Sequence, residues 1–398
     1  MGADTQRANT PRDWRPAARV RGMATSIFTE MTDLARRTGA VNLGQGVPEL
    51  ASPPALLEGV SRAVLAGENQ YPPARGVPAL REAVAEHQLR QYGLTYDPER
   101  EVLVTTGATE ALAAAVLGLC DPGDEIIAFD PCYDAYAADA RLAGAQLVAV
   151  PLAAGSEGFE LDPDALRAAV TPRSRVLLLN TPHNPTGKVF RPDELAVIAE
   201  VCQRHGLTVV TDEVYEHLVY DGARHHTIAA LPGMRERTLV ISSAGKTFNV
   251  TGWKVGWLCG PTELVGAAAS AKQFLTYVSG APYQAALASS LDSVSEWAER
   301  LRSELVRSRD LLTEGLRSAG LRPYRADAGY FVQADVRPWG HADGVRFCRE
   351  LPERAGVVAI PTAAFYQGAE APGWLVRFSF CKRGESVRDA VDRLVRSA

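Results

Sequence analysis

Lys246 stands in the stretch Ser242-Ser243-Ala244-Gly245-Lys246-Thr247-Phe248-Asn249, flanked by residues small enough to let another molecule approach closely. A lone lysine after a strand is usually a solvated charge. An amine held in a tight pocket, however, gives up its proton more readily and can form a Schiff base with a carbonyl. The chain continues as Thr251-Gly252-Trp253-Lys254-Val255-Gly256-Trp257. Ser243 and Lys254 could therefore hold a phosphate together, one by hydroxyl and one by charge. The run Val209-Val210-Thr211-Asp212-Glu213-Val214-Tyr215 sets a carboxylate at the end of an apolar segment. An Asp in that position commonly caps a helix. It could instead face a ring nitrogen and keep it protonated, which makes an aromatic ring an electron sink. Tyr215 could then sit beside a phenolic oxygen of the same ring.

Three further fragments carry chemistry. Thr105-Thr106-Gly107-Ala108-Thr109-Glu110 reads as a strand end, a glycine turn and a helix start. Unpaired N–H groups and the helix dipole attract anions there, although most such junctions bind nothing. In Asn180-Thr181-Pro182-His183-Asn184-Pro185-Thr186-Gly187, two prolines hold the Asn184 amide at the carboxyl edge of a sheet, where ligands bind in open α/β folds. Trp374-Leu375-Val376-Arg377-Phe378-Ser379-Phe380 places one arginine inside an apolar strand. Buried arginine needs a partner. That partner is either a structural carboxylate or a substrate carboxylate gripped by two parallel hydrogen bonds.

The elements that must position these residues alternate. Strands are expected over Val102–Thr106, Glu125–Phe129, Gln146–Val150, Arg175–Asn180, Leu207–Thr211, Thr238–Ser242 and Val255–Leu258, with helices such as Glu110–Leu119 and Asp193–His205 between them. Pro192 and Gly206 bracket the second helix in the expected order. Alternating strands and helices imply a mostly parallel sheet covered on both faces. Near Tyr283 the pattern changes to one long helix, roughly Tyr283–Gly315. Strand candidates follow at Tyr330–Ala334, Val357–Ile360 and Trp374–Phe380, with a last helix from about Glu385. The expected division is a large domain over 47–290 and a smaller α+β domain over 291–398, joined by the N-terminal segment 1–46.

With 398 residues, a formal charge of −5 and no dominant sign, the chain has no electrostatic reason to bind nucleic acid or an anionic membrane. No apolar run approaches the roughly 20 residues that span a bilayer. The polar start, up to about Pro16, lacks the apolar region of a signal peptide. The six cysteines form no C-x-x-C pair and read as buried reduced thiols of a cytoplasmic protein. His225 and His226 lack nearby ligands at metal spacing and read as a solvated loop, so no metal site is expected.

In combination and in this order, the fragments resemble fold-type I pyridoxal 5′-phosphate (PLP) enzymes of the class I/II aminotransferase family. The resemblance runs from about Val41 to Lys382. Asn42-Leu43-Gly44-Gln45-Gly46, Asn69-Gln70-Tyr71, Asp212-Glu213-Val214-Tyr215-Glu216-His217-Leu218 and Phe380-Cys381-Lys382 bring it nearest the kynurenine aminotransferase/glutamine transaminase K group and actinobacterial N-succinyldiaminopimelate aminotransferases. The resemblance implies that Lys246 holds PLP as a Schiff base and shuttles the substrate proton. Asp212 would pair with the pyridine nitrogen, Asn184 and Tyr215 with the phenolic oxygen, and Tyr133 would stack on the ring. Ala108, Thr109, Ser243 and Lys254 would bind phosphate, joined by Tyr71 from the neighbouring subunit of a homodimer. Arg377 would clamp the substrate carboxylate, with Gly46, Phe28 and Asn184 on the substrate side. The implied activity moves an amino group from an amino acid to a 2-keto acid in a ping-pong cycle.

Departures from that pattern fall at Val47-Pro48-Glu49, Cys132 and Arg75, and imply an altered substrate wall. Arg75 is a candidate cation for an acidic distal group of the substrate. A β- or γ-eliminating lyase, or a carbon-bond-forming enzyme of the same fold, would keep the cofactor residues equally well. A ligand-sensing transcription regulator would carry a separate DNA-binding domain, for which a tail of roughly 16 residues is too short.

Overall fold

The structure is a computed structural model that describes residues 15–21, 23, 27–155, 158–368 and 371–398. Most of the polar start therefore lies outside the described residues. The expected strands form one seven-stranded sheet in the order Val102–Thr105, Gly256–Cys259, Thr238–Ser243, Thr208–Asp212, Ser174–Asn180, Glu125–Asp130, Gln146–Pro151. Gly256–Cys259 runs against both its neighbours and the rest run one way. Within Ser174–Asn180, Val176 and Leu178 enter one core with Leu103, Ile126, Val210 and Ile241. Leu177 and Leu179 enter the opposite core with Ile127, Phe129 and Val209. The two-residue period of a strand thus feeds two separate cores, which is why these strands read as unbroken apolar runs.

Helices Gly107–Leu119 and Thr262–Lys272 cover the first face, and Pro192–His205 the second. The last begins and ends as its sequence requires. Pro192 stands at its start, the Arg191 N–H donates to the Glu194 carboxylate at 2.9 Å, and Gly206 leaves it at φ 66°.

A second sheet of four antiparallel strands follows the order Arg322–Pro323, Phe331–Asp335, Leu375–Ser379, Ile360–Pro361. Val41–Asn42 pairs in parallel with Val357–Val358 beside it. Met31, Leu43, Phe347, Phe378, Val387 and Leu394 share its core. Among the described residues, no helix is long and apolar enough to cross a membrane.

Three expectations need correction. The long helix over Tyr283–Gly315 is two, Ala281–Ala288 and Val294–Ser318, parted by a 3₁₀ turn at Leu291–Ser293. The Ser289 and Ser290 hydroxyls both donate to the Ala286 carbonyl at 3.0 Å, so these side chains compete with the helical ladder. The strand expected over Val357–Ile360 is split. Val357–Val358 pairs with the N-terminal segment and Ile360–Pro361 with Leu375–Ser379, so the apolar run changes partner at Ala359. The helix expected from Glu110 already starts at Gly107.

Candidate active site

At the carboxyl edge of the main sheet, Asn180, Asp212 and Ser243 end parallel strands, and Gly256 begins the reversed one opposite Thr105 and Ser243. A cavity of about 460 Å³ opens there. Its wall contains Phe28, Gly46, Ala108, Thr109, Tyr133, Asn184, Asp212, Tyr215, Ser243, Lys246, Lys254 and Arg377, gathered from both sheets. Tyr71 is not on that wall. It is 82% exposed and packs edge-on against Tyr277.

At one end the helix Gly107–Leu119 points its first amides into the cavity wall at Ala108 and Thr109. The fold brings backbone against backbone here. A Cβ on Gly256 would lie 2.6 Å from the Gly107 carbonyl carbon and 2.8 Å from the Ala108 nitrogen. A Cβ on Gly107 would lie 3.3 Å from Lys254 Nζ, so that ammonium sits against the turn. Lys254 itself adopts φ 55°. Ser243, Lys254 and the helix start together make a cationic, donor-rich end suited to a phosphate.

Lys246 lies in the short helix Ala244–Thr247 directly after its strand. Its Nζ is 5.2 Å from the Tyr330 ring centre and 5.7 Å from that of Tyr215, and it makes no ion pair among the described residues. Burial holds its ammonium below the usual lysine range, and the Arg377 and Lys254 charges add to this. A buried amine of lowered pKa is the reactive form of lysine.

Asp212 does not cap a helix, because turns follow it. Its Oδ2 accepts from Tyr136 Oη at 2.7 Å, and its Oδ1 from the Val214 N–H at 3.3 Å. Burial raises its carboxyl to about 6, despite the Tyr136 hydrogen bond. The Asn180 amide donates to the Asp212 carbonyl at 2.8 Å, and Asn180 Oδ1 accepts from the Asn184 N–H at 2.7 Å. Asn184 Oδ1 in turn accepts from Arg377 Nη1 at 3.1 Å.

Arg377 is 2% exposed, and no carboxylate lies within ion-pair distance of it among the described residues. Its Nη2 donates to the Gly44 carbonyl at 2.8 Å, and its Nε has no partner among them. The guanidinium lies 3.8 Å from the Phe331 ring centre, 4.4 Å from Phe365 and 5.5 Å from Phe28. Burial pushes it down to about 9. The structural ion pair weighed from the sequence is therefore not made.

Other expectations fail. Cys132 is buried in the core beneath the cavity, with its N–H on the Phe365 carbonyl, so it forms no part of the wall. Of the departures only Val47 lines the cavity. Arg75 lies outside it and donates to the Arg100 carbonyl at 3.2 Å. The His225 side chain is 3% exposed, not solvated, and bonds Glu213 at 2.8 Å; His226 is exposed as expected. Tyr136, Asn180, Phe331 and Phe365 were not singled out by their local sequence. Tyr136 carries the one available hint, lying three residues after Tyr133 and so on the same side of the chain's next turn.

This cavity joins the Lys246 amine, the Asp212 carboxylate raised to about 6, the amides and cation of a helix start, and a guanidinium with no acid partner among the described residues. Residues 38–394 match the family model for aminotransferase class I and II. The chain belongs to that family. It is 51% identical over 385 residues to a Mycobacterium tuberculosis protein described as "Probable N-succinyldiaminopimelate aminotransferase", covering 95% of this chain and 97% of that one. The solved N-succinyldiaminopimelate aminotransferase structure from that organism superposes with a TM-score of 0.94, covering 96% of this chain and all of that one. Mouse kynurenine–oxoglutarate transaminase 3 is 38% identical, with 96% and 90% covered. The fold is the fold-type I α/β architecture of these aminotransferases, a mostly parallel sheet joined to a smaller α+β part. The chain is an enzyme that moves an amino group from an amino acid to a 2-keto acid. Members of this family are generally PLP-dependent, and Lys246 is a half-buried amine on the wall of this cavity.

Proposed function

We propose that this aminotransferase binds PLP in the cavity described, with Lys246 as the amine that holds it. The observation that carries the reading is a pair of cations, half-buried Lys246 and buried Arg377, that face one cavity without an acid partner among the described residues. The lining suits the cofactor on its own geometry. Gly256 lets the Gly107–Ala108 backbone pack directly against its strand and Gly107 lets Lys254 close on the turn, which gathers Ala108, Thr109, Ser243 and Lys254 at one end of the cavity to bind phosphate. Asp212 is a carboxylate fixed by Tyr136 for a ring nitrogen, while Asn184 and Tyr215 serve a phenolic oxygen and Tyr133 offers an aromatic face.

When bound, the cofactor supplies an aldehyde for the amines and an electron-accepting ring. Arg377 grips the α-carboxylate of the amino acid, and Phe28, Phe331 and Phe365 keep water from that ion pair. Lys246 Nζ takes the proton from the substrate Cα and holds it for return. Asp212 keeps a proton on the ring nitrogen throughout. The keto acid leaves before the second keto acid enters, so the kinetics are ping-pong.

The functional unit we propose is a homodimer in which Tyr71 reaches the phosphate of the neighbouring site. Tyr71, Phe274, Leu275 and Tyr277 form an exposed apolar group near the cavity, and Phe274 is 89% exposed. Such a patch on a soluble chain marks an interface. The division into 47–290 and 291–398 with 1–46 is supported by the pairing of Val41–Asn42 with Val357–Val358. All six cysteines are free and buried, which supports a reducing, cytoplasmic location. The substrate to assay first is N-succinyldiaminopimelate, after the relative that is 51% identical.

The test is the absorbance spectrum of the purified protein with PLP. A band near roughly 420 nm, lost or shifted in Lys246→Ala, is expected for an amine-bound cofactor. Adding an amino acid without acceptor should bleach that band stoichiometrically. Steady ammonia release with the band restored would instead mean elimination, and no band at all would overturn the reading.

A further inference from the structure

We propose that His87, His217 and Glu216 form a binding site for one borderline divalent cation such as zinc, outside the catalytic cavity. His87 comes from helix Pro78–Tyr92, and Glu216 and His217 from the turn that follows Asp212. The two Nε2 atoms face each other at 3.0 Å, with the rings edge-on at 75°. One ligand atom from each of the three residues lies within 4.8 Å of the others. Two nitrogens bound tetrahedrally at zinc distances are about 3.4 Å apart, so the rings need open by only about 0.4 Å.

Charge favours a cation here over a shared proton. Glu216 is 4% exposed and accepts from Ser242 Oγ and Tyr92 Oη, each at 2.5 Å. Both partners are neutral hydroxyls, and no cationic side chain lies within ion-pair distance among the described residues. Arg302 is taken by Glu299 and the His217 carbonyl. A buried carboxylate without a countercharge is costly. In the neutral pair one Nε2–H donates to the other Nε2, which satisfies both nitrogens and leaves the Glu216 charge in place. A divalent ion answers both.

The neighbouring Glu213 shows the contrast. It already has His225 at 2.8 Å and the Thr211 and Thr227 hydroxyls, and needs no ion. The two hydroxyls on Glu216 leave lone pairs free on each oxygen and orient the carboxylate as outer-shell partners do. A cleft of about 690 Å³, lined by Tyr92, Glu216, His217 and His225, gives the ion an entry path and room for a water as fourth ligand. The bound ion would tie helix Pro78–Tyr92 to the chain just after Asp212.

The test uses the holoenzyme, treated with a chelator, desalted and titrated with Co²⁺ as a coloured probe. One equivalent should bind with visible ligand-field bands and be displaced by Zn²⁺. His87→Gln and His217→Gln should each weaken binding at least about 100-fold, whereas His226→Gln, at an exposed imidazole, should leave it unchanged. As a readout independent of the variants' folding, Zn²⁺ should raise the thermal midpoint of the native protein in a saturable way. Binding weaker than about 1 mM, or equal binding in the His217→Gln protein at an unchanged 420 nm band, would overturn the site. The pair would then be two neutral imidazoles joined by one N–H···N hydrogen bond.

Discussion

Replacing Arg377 with methionine separates a substrate clamp from a structural cation. Arginine carries five N–H donors. Two are spent on Asn184 Oδ1 and the Gly44 carbonyl, so three remain for a ligand. Hydrogen bonds to a charged group contribute about 1.5–3 kcal/mol each, and a bidentate grip made in a dry aromatic box should amount to about 3–5 kcal/mol. The expected loss in kcat/KM for an amino acid is therefore about 10²- to 10³·⁵-fold, since each 1.36 kcal/mol is tenfold. A primary amine without a carboxylate gains nothing from Arg377, and its slow conversion should be nearly unchanged. Thermal stability makes the second arm. The guanidinium is buried without a countercharge among the described residues, so removing it recovers a desolvation cost of several kcal/mol. Against this, Asn184 Oδ1 and the Gly44 carbonyl each lose a donor at about 1–3 kcal/mol. Contacts with the Phe331 and Phe365 rings oppose the removal by a further ~1–2 kcal/mol. The cofactor-loaded variant should thus melt within a few degrees of the native protein. The reasoning is refuted if amino acid and plain amine lose rate equally, or if the variant melts far lower.

Three further outcomes follow from the same geometry. Burial raises the Asp212 carboxyl to about 6, so in the cofactor-free protein its charge disfavours the fold above that pH, and the cost fades as pH falls toward the unfolded value near 4. Asp212→Asn should therefore stabilise the cofactor-free protein by up to about 3 kcal/mol at pH 8 and by little at pH 4 in urea denaturation, while weakening PLP binding; a variant less stable at pH 8 would contradict this. Gly256→Ala drives a Cβ into the Gly107–Ala108 backbone, an overpacking of about 1–3 kcal/mol, and should weaken PLP about tenfold or more in a spectral titration, whereas Gly252→Ala, with nothing within 4 Å, should not. If Tyr71 serves the neighbouring site, inactive Tyr71→Ala and Lys246→Ala proteins unfolded and refolded together should recover about a quarter of native activity, because each mixed dimer carries one intact site. No recovery, with mixed dimers shown to form, would place Tyr71 in its own subunit's site.

Much of the catalytic cavity was legible because it is built at strand ends. Asp212, Ser243 and the Asn180–Asn184 turn each follow an apolar run, and a parallel sheet carries all such ends to one edge. Small residues around Lys246 and the glycine before Ala108 mark close approach within a few residues of the chemistry. The helix break after Ala288 was less legible, since serine hydroxyls that bond back to the Ala286 carbonyl look polar and helical alike until the geometry is seen. The burial of His225 is hidden in the same way, because it depends on Glu213, twelve residues away.

Local pattern alone carried the strand and helix alternation, the family, and Lys246 and the Gly107–Thr109 turn as the proposed amine and anion cradle. These rest on local periods and on residue types that sit close together in the chain. Tertiary structure alone decided that Asp212 is fixed by Tyr136, 76 residues away, and that Arg377 meets Asn184 and Gly44 across 193 and 333 residues. It also decided that no acid reaches Arg377 among the described residues, that Cys132 faces the core, and that His87 meets His217. Each of these depends on which distant surfaces pack together. Packing selects partners through the whole core, and no local pattern encodes that choice.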